Sequence, residues 1–195
     1  MILKRVTFDR LFKRVKRLFK GAIFETKFRK INRKLFKDVK SLARINFICY
    51  QTNMRLIEEW KSKNQNLAVI STLDLRLREY GERRVQKKNS INASVHSVFS
   101  KRPRGVRVEN WTDIDLAYTI ADMVDRLIIE TIKIADYKMR LRRVEKNQKA
   151  VFFSKKILAE KWMESVMLCL SKKLNNINHK KFYDVCGETR TYDLS

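Results

Sequence analysis

The sequence predicts a mainly α protein: a bundle of three to four long amphipathic helices with a short β-hairpin or extended arm near residues 90–110. Three observations lead to that class. Glycine and proline are scarce, four and one in 195 residues, so the punctuation of turn-rich β architecture is missing. Apolar side chains recur at three-and-four spacing over long stretches, as one face of a helix requires. Hydrophobic residues make up 44% of the chain, near the globular average, which suits one domain or one domain with an appended arm.

The first element is a helix over residues 6–23. Phe8, Leu11, Phe12, Val15, Leu18, Phe19, Ala22 and Ile23 fall within one third of its circumference, and Lys/Arg side chains occupy the rest. Gly21 allows a bend. A second stripe of Phe28, Ile31, Leu35, Val39, Leu42, Cys49, Leu56 and Trp60 then predicts one long helix over about 26–62. From Leu67 to about Gln86, Val69, Ile70, Leu73 and Leu77 suit a helix, while VISTLDLRL also alternates well enough for a strand. Residues 90–110 depart most from helical spacing: Ile91, Ala93, Val95, Val106 and Val108 alternate with polar residues around Pro103 and Gly105, as in a hairpin or arm.

Beyond Trp111 the pattern returns to helix. Thr112 with Asp115 three residues on forms an acidic variant of the capping box. The helix predicted from there to about Arg143 has Leu116, Ile120, Met123, Leu127, Thr131 and Ile134 on its apolar face. Its polar face carries Asp115, Asp122, Asp125, Arg126, Lys133 and Asp136. A last helix over about 149–178 uses Phe152, Ala159, Trp162, Met163, Val166, Leu170 and Ile177, and pairs with its predecessor as an antiparallel hairpin. The chain divides into basic N-terminal helices (1–62), a connecting helix and basic arm (63–110), a C-terminal helical hairpin (111–180) and an aperiodic tail (181–195) expected to fray unless a partner holds it.

Charge is the feature that points toward function. Lys and Arg number 45 against 21 Asp and Glu, a formal +24, and self-repulsion of that size opposes compaction unless a counter-charge is near. The excess is uneven. Residues 1–44 hold sixteen basic and three acidic side chains, 76–107 ten and two, and 138–161 nine and two, whereas 109–136 hold seven acidic and two basic. Such a surface neutralises phosphates, and counterion release makes its affinity steeply salt-dependent.

The chemistry expected is therefore non-enzymatic, sequence-nonspecific binding of nucleic acid, RNA or DNA, by an accessory or structural protein of a ribonucleoprotein or virion assembly. No helix-turn-helix, finger or RNA-recognition signature indicates base reading. The candidate contacts are Lys13, Arg14, Arg17, Lys20, Arg29, Lys30, Arg33 and Lys34 in the N-terminal helices, and Arg83, Arg84, Lys87 and Lys88 before the arm. Lys101, Arg102, Arg104 and Arg107 crowd around a proline-stiffened tip, and Arg140, Arg142 and Arg143 stand at a helix end, where they also satisfy the helix dipole. Tyr80, Phe99 and Tyr183 lie near basic residues and are candidates for base stacking. Phe8, Phe12, Phe19, Phe28, Trp60, Phe152 and Trp162 fall on apolar stripes and are expected in the core or an interface. Protein partners are expected through the acidic 112–136 helix or apolar helix faces.

Two alternatives accompany this expectation. Helix 6–23, apolar on one side and Lys/Arg-rich on the other, matches an interfacial helix on anionic lipid. The same start is similar to an organellar presequence, but the basic pattern runs on well past Gly21. The second alternative is a metal-dependent hydrolase. Glu79 and Glu82 with Asp122 and Asp125 resemble the paired acidic helices of all-α nucleotide pyrophosphohydrolases, and this resemblance implies carboxylates gathered on a divalent metal. No phosphate-binding glycine loop, metal motif or cofactor motif is present in the sequence. Cys49, Cys169 and Cys186, odd in number and widely spaced, indicate neither a disulfide framework nor a zinc site, so the expected setting is an intracellular, reducing compartment. No apolar run reaches the length of a membrane-spanning helix.

Overall fold

The computed structural model describes residues 8–22, 29–99 and 118–178. These residues form five helices, and no strand occurs among them: α1 (Asp9–Ala22), α2 (Arg29–Lys61), α3 (Leu67–Phe99), α4 (Ile120–Arg140) and α5 (Lys146–Asn178). The protein is mainly helical, as the scarcity of glycine and proline predicts. Short connections fold α2 back on α3 and α4 back on α5, so the two pairs are antiparallel hairpins that supply most of the helix packing. α1 lies against α4 and α5, and α4 also touches α2 and α3.

One cluster of buried side chains draws on all five helices. Leu11, Val15 and Phe19 enter it from α1, Leu35, Val39, Leu42 and Phe47 from α2, Ile91 and Val95 from α3, and Val166, Leu170 and Leu174 from α5. α4 sits at its centre, with Ile120, Ala121, Leu127 and Ile128 wholly buried. Much of each apolar stripe predicted for the first, second, fourth and fifth helices thus meets here, Trp60 and Trp162 excepted.

The described residues bear on three sequence expectations. The ambiguous 67–86 stretch is helix, opened by Asn66, whose side-chain carbonyl accepts from the Val69 N–H at 3.2 Å. That helix continues to Phe99, so residues 90–99 are not part of a hairpin or arm; the remainder of the proposed arm, 100–110, lies outside the described residues. The alternation of Ile91, Ala93 and Val95 misled because Ile91 and Val95, four apart, are the pair that α3 buries, while Ala93 faces out. Finally, Thr112 and Asp115 lie outside the described residues, and the helix predicted from there begins at Ile120, because Thr119 is extended (φ −71°, ψ 166°).

Candidate polyanion-binding surface

The local device that starts α4 also organises its charges. Thr119 accepts from the Asp122 backbone N–H at 3.1 Å, and the Asp122 carboxylate accepts from the Thr119 N–H at 3.1 Å, a reciprocal capping box. α3 closes over it. The Asn92 side-chain amide donates to the Thr119 hydroxyl at 3.2 Å and accepts from the Ala121 N–H at 3.1 Å, and Lys88 donates to Asp122 at 2.9 Å. Burial works to raise the Asp122 carboxyl pKa, but hydrogen bonds from Lys88 and Thr119 outweigh it and hold the group below the ordinary aspartate value.

The same arrangement repeats along α4 with its acids turned inward. Asp125, 4% exposed, receives the Asn46 amide at 2.7 Å and the Arg84 guanidinium, whose Nε reaches Oδ1 at 3.0 Å and whose Nη2 closes on Oδ2. Burial works against the Arg84 charge, yet the hydrogen bonds and charge of Asp125 outweigh it and raise its pKa. Glu130, 1% exposed, is held by Arg126 at 2.9 Å and Lys133 at 3.1 Å. Asp136 takes Arg140 at 2.6 Å. On α2, buried Asp38 accepts from Lys87 at 3.0 Å and from the Ser90 hydroxyl at 2.8 Å. Each buried carboxylate therefore meets a cation, as desolvation requires.

This corrects the expected polar face of the 112–143 helix. Asp125, Glu130 and Asp136 are buried and Asp122 is half-buried, so the described part of the acidic run has no exposed carboxylate. It also sorts the nineteen candidate cations. Arg84, Lys87, Lys88 and Arg140 are engaged by Asp125, Asp38, Asp122 and Asp136. Arg83 is exposed and, among the described carboxylates, pairs with Glu79, one turn earlier on α3. Lys13, Arg14 and Arg17 of α1, Arg33 and Lys34 of α2, and Arg142 and Arg143 just beyond α4 are all exposed, with no carboxylate partner among the described residues. Lys20 lies on α1 and Arg29 and Lys30 on α2 by backbone, whereas Lys101, Arg102, Arg104 and Arg107 lie outside the described residues.

The structure adds cations to this exterior. Arg10 and Lys16 of α1, and Lys37, Lys40 and Arg44 of α2, are exposed in the same way. It also joins two basic runs that lie far apart in sequence: Arg10 and Arg14 of α1 line the same cleft as Lys138 and Arg142 at the end of α4.

Among the aromatics, Phe19 is in the core as expected, but Trp60 and Trp162 are 53% and 42% exposed. The Arg126 guanidinium lies 5.4 Å over the Trp162 ring, and Arg83 the same distance over Tyr80. Phe99 falls at the last position of α3, and Tyr183 lies outside the described residues. Of the apolar stripe of α1, Leu11, Val15 and Phe19 are within 6% exposure and face the protein's core, while Phe8, Phe12 and Leu18 are half-buried.

Three of the four carboxylates that prompted the hydrolase alternative hold cations, and Glu82 is exposed on α3. Asp122 and Asp125 hold Lys88 and Arg84, Glu79 holds Arg83, and no group of three metal-ligating side chains occurs among the described residues. Asp38, Asn46, Asn92 and Lys173 were missed in the sequence. Asn46 continues the Leu35–Val39–Leu42–Cys49 stripe, and Asp38 and Lys173 flank Val39 and Leu174. A polar side chain seated on an apolar stripe was the available signal.

No protein-family model matches the chain, and neither the curated proteins nor the solved structures give a significant match to it.

Proposed function

We propose that this protein binds nucleic acid without sequence specificity, by neutralising phosphates, as an accessory or structural component of a ribonucleoprotein or virion-like assembly. One observation carries the reading: carboxylates of the central helices are buried against a small set of cations, while the long basic faces of α1 and α2 stay exposed and unpaired among the described residues. The exterior of those helices is then more positive than the sequence average of +24 over 195 residues suggests. A polyanion lowers that self-repulsion and releases counterions, which drives association with any phosphate backbone of suitable shape.

The contacts assigned are Lys13, Arg14 and Arg17 on α1, Arg33 and Lys34 on α2, and Arg142 and Arg143 after α4, with Lys20, Arg29, Lys30 and the 101–107 tip continuing the basic sequence around them. Arg84, Lys87, Lys88 and Arg140 are assigned to the fold. The reduced thiols of Cys49 and Cys169 suit a reducing, intracellular setting, and no described helix is long and apolar enough to cross a membrane.

The test is a titration of random-sequence RNA and duplex DNA at several salt concentrations. The expected result is log affinity falling linearly with log salt, with little dependence on sequence. Affinity that ignores salt would remove phosphate neutralisation as the mechanism.

A further inference from the structure

Where α1 crosses α4 and α5, the helices leave an open cleft of about 550 Å³. That volume lies in the range of small-molecule sites. Its floor is apolar: Leu11 from α1, Ile134 and Met139 from α4, and Met163 and Met167 from α5. Leu11, Ile134 and Met167 are buried, and Met139 and Met163 are half-buried. Methionine is unbranched and flexible, so three of them adapt to a chain of variable length and bend.

The rim has the opposite character. Arg10, Arg14, Lys138 and Arg142 border the cleft and are exposed. Glu160 is the one acid lining it among the described residues, and Lys156 holds that carboxylate at 3.2 Å. An anionic group at the mouth thus meets two guanidinium groups from α1 and two cations from the end of α4, close to water, while whatever is attached to it leaves water for the floor.

We propose that this cleft binds a single-chain anionic amphiphile: an acyl chain along the methionine floor, with its carboxylate or phosphate head at the Arg10, Arg14, Lys138 and Arg142 rim. The chemistry of the floor selects the chain. An unpaired nucleobase on the floor would bury its polar edge against Leu11, Ile134, Met139, Met163 and Met167, where, among the described residues, the nearest neutral hydroxyl, that of Thr131, has already given its proton to the Leu127 carbonyl at 2.7 Å. An acyl chain asks for no hydrogen bond. The rim selects the head, because a neutral head gains nothing from four cations and a cationic one is repelled.

The test is calorimetric titration of the full chain with dodecyl phosphate below its micelle concentration, beside dodecyl maltoside, inorganic phosphate and phosphatidylglycerol vesicles. The expected result is saturable one-to-one binding of dodecyl phosphate, about tenfold or more tighter than either the neutral-headed surfactant or the free phosphate. Filling the floor with Ala135→Trp abolishes it and leaves RNA affinity unchanged, since the outward cations are untouched. Lys138→Glu with Arg142→Glu weakens it about tenfold. Because the tryptophan variant can fail to fold, the wild-type chain is also titrated with octyl, dodecyl and hexadecyl phosphate, and affinity should rise with chain length until the floor is filled. A response flat in chain length, equal binding of the maltoside, multi-site uptake that the charge-reversed rim leaves unchanged, or binding to vesicles alone would each overturn the proposal.

Discussion

Neighbouring arginines on α3 show how burial divides one residue type into two roles. Arg83 and its partner Glu79 are both more than half exposed, whereas Arg84 closes on an Asp125 side chain only 6% exposed. Arg83→Ala should change stability by less than about 0.5 kcal/mol, the usual scale of exposed pairs one turn apart. Arg84→Ala should cost about 3 kcal/mol, because it leaves a buried carboxylate with only the Asn46 amide. Urea unfolding of the two variants measures both, and equal midpoints would mean that Asp125 is not the charge that Arg84 serves. Asp122 gives a pH test at the same scale. Its folded pKa lies below the unfolded value of about 3.9. Its contribution is therefore complete above that value and is lost as pH falls through the folded one. The stability gap between wild type and Asp122→Asn should be constant near neutrality and shrink on acidification.

Helix boundaries here are decided by capping contacts from a second helix. The spacing of Thr119 and Asp122 repeats that of Thr112 and Asp115, the pair read as the cap from sequence, so spacing does not distinguish them. The Thr119 box is joined by Asn92 and Lys88 from α3, which satisfy the Ala121 N–H and the Asp122 carboxylate. Thr119→Ala should cost about 1 kcal/mol. Asn92→Ala should cost about as much, by leaving the buried Ala121 N–H without its acceptor. Thermal or urea unfolding of each variant checks this, and a double variant costing less than the sum of the two would show that the cap and its α3 support act together. The strand-like reading of residues 90–99 fails at this scale for a related reason: alternation over a few residues cannot reveal that Ile91 and Val95 both point into a core built by other helices.

Over the whole molecule, the effect of folding is to separate charges that the sequence intermixes. Central carboxylates turn inward and take a few cations with them, while the α1 and α2 basic faces remain outside. Replacing Lys13, Arg14 and Arg17 with Glu should weaken RNA and DNA binding alike and reduce the salt slope by about one for each phosphate no longer neutralised, with little change in the unfolding midpoint. Lys87→Ala should do the reverse, lowering stability by leaving the buried Asp38 charge without its cation while keeping the salt slope nearly intact. Filter binding across a salt series, with unfolding curves for the same variants, separates the two kinds of lysine and arginine.

Helical class, the apolar stripes and the excess of positive charge were legible in the residues themselves, because helix periodicity and net charge are properties of the chain that survive any arrangement of its parts. The N-terminal cations could be named for the same reason: their stripe of Leu11, Val15 and Phe19 fixes which side of α1 is left to water. The fate of the acidic helix could not. A carboxylate on the polar side of an isolated helix becomes buried only when another helix brings a cation to it. Asn46 and Arg84 reach Asp125 from 79 and 41 residues away. Sequence determined how much charge this protein carries; tertiary structure decided which charges face outward, because only long-range packing sets which of them lose their water.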